Sequence, residues 1–182
     1  GVKFPTLLIQ PNNPQQVKLS MIMLTKNNET TIYEQISTLE PLFDELIIID
    51  DMSKDNTIQE IKRYITEESQ KSLLFTKDKI KFFLKNLNND FASQHNFGIS
   101  KSTGDWIFFI DSDEMLEPIL YQNLRKMVIS LNKEKHVNVI ALPRINLIDG
   151  QRTQVYPDYQ FRLHRKGIKW VGIIHEVPEP VK

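Results

Sequence analysis

Apolar residues fall along this chain in short dense runs, and each run ends in a polar or acidic cluster. Residues 19–24 form the first, closed by Thr25-Lys26-Asn27-Asn28, and Leu46-Ile47-Ile48-Ile49 forms the second, ending in Asp50-Asp51. Residues 80–84 form a third. Trp106-Ile107-Phe108-Phe109-Ile110 forms a fourth that stops abruptly at Asp111-Ser112-Asp113-Glu114. Bulky runs without alternation predict strands buried on both faces, as in a parallel sheet sheltered by helices. Between the runs the apolar spacing changes to three and four. Ile32, Ile36 and Leu39 predict a helix over 31–39 that Pro41 stops, and Ile58, Ile61 and Ile65 predict another. Residues 91–102 predict a third helix before the break at Thr103-Gly104. Leu116, Ile119, Leu120, Leu124, Met127, Val128 and Leu131 predict a fourth, beginning near Pro118, a favoured first-turn residue. Residues 66–79 are polar apart from Leu73-Leu74-Phe75 and predict a loop.

Beyond the fourth helix the pattern changes. Residues 137–142, a turn at Asp149-Gly150, residues 159–163, a turn at Lys166-Gly167 and residues 168–174 predict strands joined by tight turns. The fold class is therefore α/β: a mainly parallel sheet with helices on both faces and a late antiparallel strand region. In such a fold ligands lie at the carboxyl ends of the strands. One rule then gathers three separate loops, 25–28, 50–51 and 111–113, at a single edge.

Composition narrows the chemistry. At 182 residues the chain supports one core that buries about 70% of its unfolded surface. Lys plus Arg equal Asp plus Glu at 23 each, so no global field draws it to nucleic acid or an anionic membrane, and a small-molecule partner is expected. The absence of cysteine removes disulfides, thiolate catalysis and zinc-thiolate sites, and favours a cytoplasmic setting. The longest apolar runs are about five residues, far short of the roughly 20 that span a bilayer. After Gly1 the next glycine is Gly98, which excludes a glycine-rich phosphate cradle in the first strand-to-helix turn. A diphosphate on this sheet would then need a metal ion held on carboxylates. Asp111 and Asp113 lie two apart, share a side in extended backbone, and suit Mn²⁺ or Mg²⁺ with positions left open for phosphate. The competing reading is helix capping. Asp50 and Asp51 compete with turn formation in the same way, but two adjacent acids repel unless something positive sits between them. Arg162, Arg165, Lys166 and Lys169 read either as a solvated hairpin face or as a site for an anionic acceptor or the leaving diphosphate, Trp106 and Trp170 as core, and His136 and His164 as structural histidines.

In order along the chain, several pieces resemble the family 2 glycosyltransferases with the GT-A fold, mostly inverting enzymes that use nucleotide sugars. They are Met21-Ile22-Met23-Leu24-Thr25-Lys26-Asn27-Asn28-Glu29, Asp44-Glu45-Leu46-Ile47-Ile48-Ile49-Asp50-Asp51, Asn89-Asp90-Phe91-Ala92, Asn96-Phe97-Gly98-Ile99, Thr103-Gly104-Asp105-Trp106 and Asp111-Ser112-Asp113-Glu114. The resemblance spans residues 18–177 and implies one GT-A domain over 18–182, with a nucleotide-binding half at 18–115 and an acceptor and closing half at 116–182. Residues 1–17 would be an N-terminal extension or expression remnant. By the same resemblance Thr25, Asn27, Glu29 and Asp51 would contact the nucleoside and Asp90 the base. Asn96 and Ser112 would contact the donor, Asp113 the metal, and Asp111 the ribose or the metal and its water shell. The late segment ending in His175-Glu176 resembles a subgroup in which a terminal His-Glu closes the site, with His175 the third metal ligand. Asp158 and Glu176 are the candidate general bases, Asp158 preferred because Glu176 adjoins a ligand.

The implied activity is metal-dependent transfer of one sugar from a nucleotide-diphosphate donor, a UDP-sugar favoured, to a hydroxyl of a glycan, lipid-linked or protein acceptor. Two features depart from the family pattern. Gln94-His95 stands where many relatives carry a basic residue before the asparagine, and the Gln-x-x-Arg-Trp motif of processive synthases is absent. Single-sugar transfer follows. Two other readings compete: a nucleotide-sugar-binding domain without turnover, and a phosphatase of the haloacid dehalogenase type. The second fits poorly, because its Asp-x-Asp normally lies on the first strand.

Overall fold

The computed structural model describes residues 16–72, 75–76, 78–153, 156–172 and 177–180. Four parallel strands carry the architecture: β1 (Leu19–Thr25), β2 (Glu45–Asp50), β3 (Ile80–Leu84) and β4 (Trp106–Asp111). Helices α1 (Ile32–Leu39), α2 (Thr57–Lys71) and α3 (Phe91–Lys101) connect them in sequence, and α4 (Pro118–Lys133) follows β4. The late region supplies β5 (Val139–Arg144), β6 (Leu147–Ile148), β7 (Gln151–Arg152), β8 (Asp158–Arg165), β9 (Ile168–Val171) and β10 (Val177–Pro180). The main sheet runs β3-β2-β1-β4-β8-β5, with β8 antiparallel to both β4 and β5. β9 pairs with β10, and β6 with β7, as separate two-stranded ribbons. Among the described residues no helix is long and apolar enough to cross a membrane.

The strands read as apolar runs because both faces are covered. Leu19, Met21 and Met23 point to one side, where α1, α2 and α4 bring Ile32, Ile36, Ile61, Tyr64, Leu124 and Val128. Ile22, Ile47, Ile49, Ile107 and Phe109 point to the other, against Ala92 of α3 and Trp170 of β9. α3 lies so close to the sheet that a Cβ on Gly98 would sit 2.6 Å from a methyl of Ile22. Trp106 and Trp170, at 0% and 5% exposure, are core residues as expected.

Three boundaries differ from expectation. α2 runs on to Lys71 through the stretch read as loop, because ion pairs from Arg63 and Lys71 to Glu60, Glu67 and Glu68 support a solvent-facing turn that carries no apolar signal. β5 lies two residues later than the apolar run suggested. β10, with Pro178 and Pro180, departs from the expected pattern; among the described residues it pairs with β9 alone, where missing N–H groups are tolerated. The Asp149-Gly150 turn is present, both residues at positive φ (50° and 76°), as a two-residue hairpin between β6 and β7 requires.

Candidate active site

β1 is the switch point of the sheet: the chain leaves it toward β2 and β3 on one side, then returns to β4 on the other. A crevice opens outside the carboxyl ends of such neighbours. Backbone hydrogen bonds fix the loops there: Asp51 N–H donates to Thr25 O at 2.9 Å and Ser112 N–H to Leu24 O at 3.0 Å. Asn28 adds an amide bond to Ser112 O. The first two loops are stitched side to side. Asn27, at φ 49°, accepts from Lys54 N–H at 2.8 Å and donates its own N–H to Ser53 Oγ. Glu29 accepts from Asn56 N–H at 2.7 Å. Asn27 and Glu29 thus shape the crevice through loop contacts.

The adjacent acids divide their work. Asp50 is fully buried and accepts from the Ser53 N–H and hydroxyl, a turn role. Asp51 is paired separately: Lys26 Nζ lies 2.7 Å from one oxygen, and Leu87 N–H donates to the other at 2.8 Å. Burial pushes the Asp51 carboxyl upward, but those two donors outweigh it and hold it below the ordinary range. Thr25 Oγ1, facing the same edge, is buried without a partner among the described residues. Asp90 caps α3 by accepting from Ser93 N–H at 2.8 Å. Between the start of α3 and β9 an open cleft of about 430 Å³ is lined by Asp90, Ser93, Asn96, Lys169, Trp170 and Gly172.

At the end of β4, Ser112 is buried, Asp113 is exposed and Asp111 keeps 42% of its side-chain surface. Crowding by protein atoms, and then the carboxylates of Glu114 and Asp113, push the Asp111 carboxyl up to about 6 against the pull of Arg162 and Arg144. Gln35 of α1 pins the loop from below, donating to the carbonyls of Asp111 and Glu114 at 3.0 and 2.7 Å. Among the described residues no three His, Cys, Asp or Glu side chains converge as a metal cage. Two carboxylates at an open edge nevertheless fit Mg²⁺ or Mn²⁺, which complete their shells with phosphate and water. His175 and Glu176 lie outside the described residues.

Two expected roles change. Asn96 is committed elsewhere: its amide donates to Trp170 O at 2.8 Å and accepts from Trp170 N–H at 2.8 Å, fastening β9 to α3. Asp158 accepts from Arg144 at 2.8 and 3.0 Å, from Asn146 at 2.9 Å and from Gln160 at 2.8 Å. Asn146, Gln160 and Arg144 hold its carboxyl below the ordinary range, which makes it a poor proton acceptor. Sequence reasoning also missed Gln35, Lys26, Arg144 and Arg162. Lys26 lies inside the first motif, and its partner Asp51 lies 25 residues further on. Arg162 is 14% exposed and sits between Asp111 and Glu114, not on a solvated face.

Beneath the cleft lies a ring stack. His95 packs on Phe109 and Trp170 at 4.4 Å each, and His164 lies 5.4 Å from Phe109. His164 donates Nδ1–H to Arg165 O at 2.8 Å and takes Trp170 Nε1–H on Nε2 at 3.4 Å, an arrangement that needs the neutral ring. Burial, then Arg162 and His164, lowers His95 to about 3; burial lowers His164 to about 4. Both rings protonate freely when unfolded, near 6.5. Their contribution is therefore complete above that pH and is lost as pH falls toward the folded values. We expect the wild type to lose about 2 kcal/mol of stability between pH 7.5 and 5.5. His95→Phe should lose about 1 kcal/mol less over the same interval, the share of one ring. Chemical denaturation at each pH measures this, and equal pH slopes for the two proteins would refute a neutral His95. Asp111, raised, acts in the opposite sense, and comparing the two slopes cancels it.

A doubly covered α/β sheet, with acidic loops gathered at its switch point and antiparallel strands beside the crevice, is the GT-A fold. The chain belongs to glycosyl transferase family 2, whose description matches residues 20–176. It is 31% identical over 166 residues to EpsE of Bacillus subtilis (strain 168), covering 90% of this chain and 50% of EpsE. It superposes on S. aureus TarS in complex with UDP at a TM-score of 0.58, with 20% identity over 82% of this chain and 47% of that one. It superposes on the mannosyltransferase PcManGT of Pyrobaculum calidifontis, bound to GDP-Man and Mn²⁺, at 0.57, with 15% identity over 77% of this chain and 39% of the other. The chain thus spans about half the length of EpsE and of the TarS fragment, and 39% of PcManGT.

Proposed function

We propose that this chain carries the donor site of a metal-dependent inverting glycosyltransferase that moves one sugar from a nucleotide diphosphate, a UDP-sugar, to an acceptor hydroxyl. The observation that carries it is the convergence of Thr25, Asp51 and the Asp111-Ser112-Asp113 loop on one crevice at the carboxyl ends of β1, β2 and β4. UDP in TarS, and GDP-Man with Mn²⁺ in PcManGT, support the same chemistry on the same fold. Asp51 and the loop beside it receive the nucleoside, and Asp113 and Asp111, with His175, hold Mn²⁺ or Mg²⁺. The bound cation neutralises charge on the departing diphosphate. Glu176 takes the acceptor proton, because Asp158 is committed to Arg144, Asn146 and Gln160.

Thermal melts with UDP-, GDP-, CMP- and dTDP-sugars in Mn²⁺ test the donor class. UDP-sugars should stabilise most and should release UDP when an acceptor is supplied. No response to any nucleotide sugar would refute the reading, and a larger response to GDP-sugars would change the donor.

A further inference from the structure

Asp111, Asp113 and Glu114 place three carboxylates within four residues at the end of β4. Such a group splays apart unless positive charge is brought to it. The late strands bring it. Arg162 of β8, 14% exposed, sets Nη1 3.7 Å from Asp111 Oδ2, while its Nη2 pairs with Glu114 Oε1. Glu114 turns its other oxygen to the Asp111 N–H at 3.0 Å, so the guanidinium, Glu114 and Asp111 close a ring across the loop. Arg144 of β5 approaches Glu114 Oε1 at 3.9 Å and is anchored in turn by Asp158 at 2.8 Å. Asp113 stands outside this network, exposed and without a partner among the described residues.

We propose that Arg162 is the built-in counter-cation of this loop, a positioning residue that keeps Asp111 and Glu114 in register while no divalent ion is bound and gives up Asp111 when one binds. The proposal rests on the reading that Asp111 and Asp113 receive a divalent cation. A planar guanidinium suits the task because it reaches two carboxylates at once and loses little freedom in doing so. An arriving ion brings two charges to Asp111 and makes the arginine's share redundant. Arg162 keeps Glu114 as its partner, so it withdraws from Asp111 without being left unpaired in a mostly buried position.

Thermal melts of the wild type, Arg162→Gln and Arg162→Lys, each in EDTA and in saturating Mn²⁺ with UDP, test the assignment. In EDTA, Arg162→Gln should melt about 3–6 °C below the wild type. Mn²⁺ with UDP should close most of that gap, because the ion replaces the missing charge. Arg162→Lys, which keeps the charge but not the fork, should fall between the two in EDTA. A gap that Mn²⁺ with UDP leaves unchanged would mean that the arginine only packs, and would overturn the proposal; so would the absence of a gap in EDTA. The wild type serves as the check on the underlying reading. If its own melting point is the same in EDTA and in Mn²⁺ with UDP, the cation site itself is refuted and the proposal falls with it. A responsive wild type with a fixed gap refutes the proposal alone.

Discussion

Asp113→Ala is expected to reduce UDP binding in Mn²⁺ to the level seen in EDTA, a loss of at least about tenfold. Asp113 is exposed at the end of β4, has no partner among the described residues, and adjoins a loop pinned by Gln35 and Arg162. Removing it therefore should cost little stability, and the effect should appear in ligand affinity alone. The expected site has two or three protein ligands, so one lost carboxylate uncovers a large share of the diphosphate's charge. Titration calorimetry of UDP with Mn²⁺ and with EDTA measures the difference. Equal affinity in the two conditions for the wild type would remove the metal from the account.

The second large effect concerns proton transfer. Glu176→Gln should leave UDP affinity within about twofold and cut turnover by roughly 10²–10⁴, since a general base acts only in the transition state. Asp158→Asn should lower turnover less, and should lower the melting point as well, because its carboxylate anchors Arg144 and Asn146. Single-turnover transfer measured beside UDP titration separates the cases. The reverse pattern, with Asp158→Asn silent in binding and stability yet lost in turnover, would return the base to Asp158.

The first half of the fold, through β4, was readable because its information is local. A strand covered on both faces writes an unbroken apolar run, so β1, β2, β3 and β4 and their acidic ends stood out, and the fold rule then gathered the ends. What escaped depends on partners distant in sequence. The last turn of α2 is held by ion pairs along a polar surface and has no apolar stripe to reveal it. Arg162 and Asp111 are brought together only when β8 adds to β4 in antiparallel register. Asn96 was assigned to the donor by family resemblance, and its amide bonds both backbone groups of Trp170, a partner 74 residues away. Asp158 is similar: its place in the chain says nothing about Arg144, the arginine that pairs with it.

That clasp between Asn96 and Trp170 also bears on how such proteins diversify. α3 is the crossover that leads into β4, and β9 is the strand after which the chain runs on to the proposed His-Glu. Joined by an amide and a ring stack, they make the early and late parts co-adapted neighbours instead of interchangeable cassettes. Exchanging the late strands for those of a relative would present α3 with a foreign surface at His95 and Asn96, whereas the β6–β7 hairpin, whose Leu147 and Ile148 are exposed, can change without disturbing that seam.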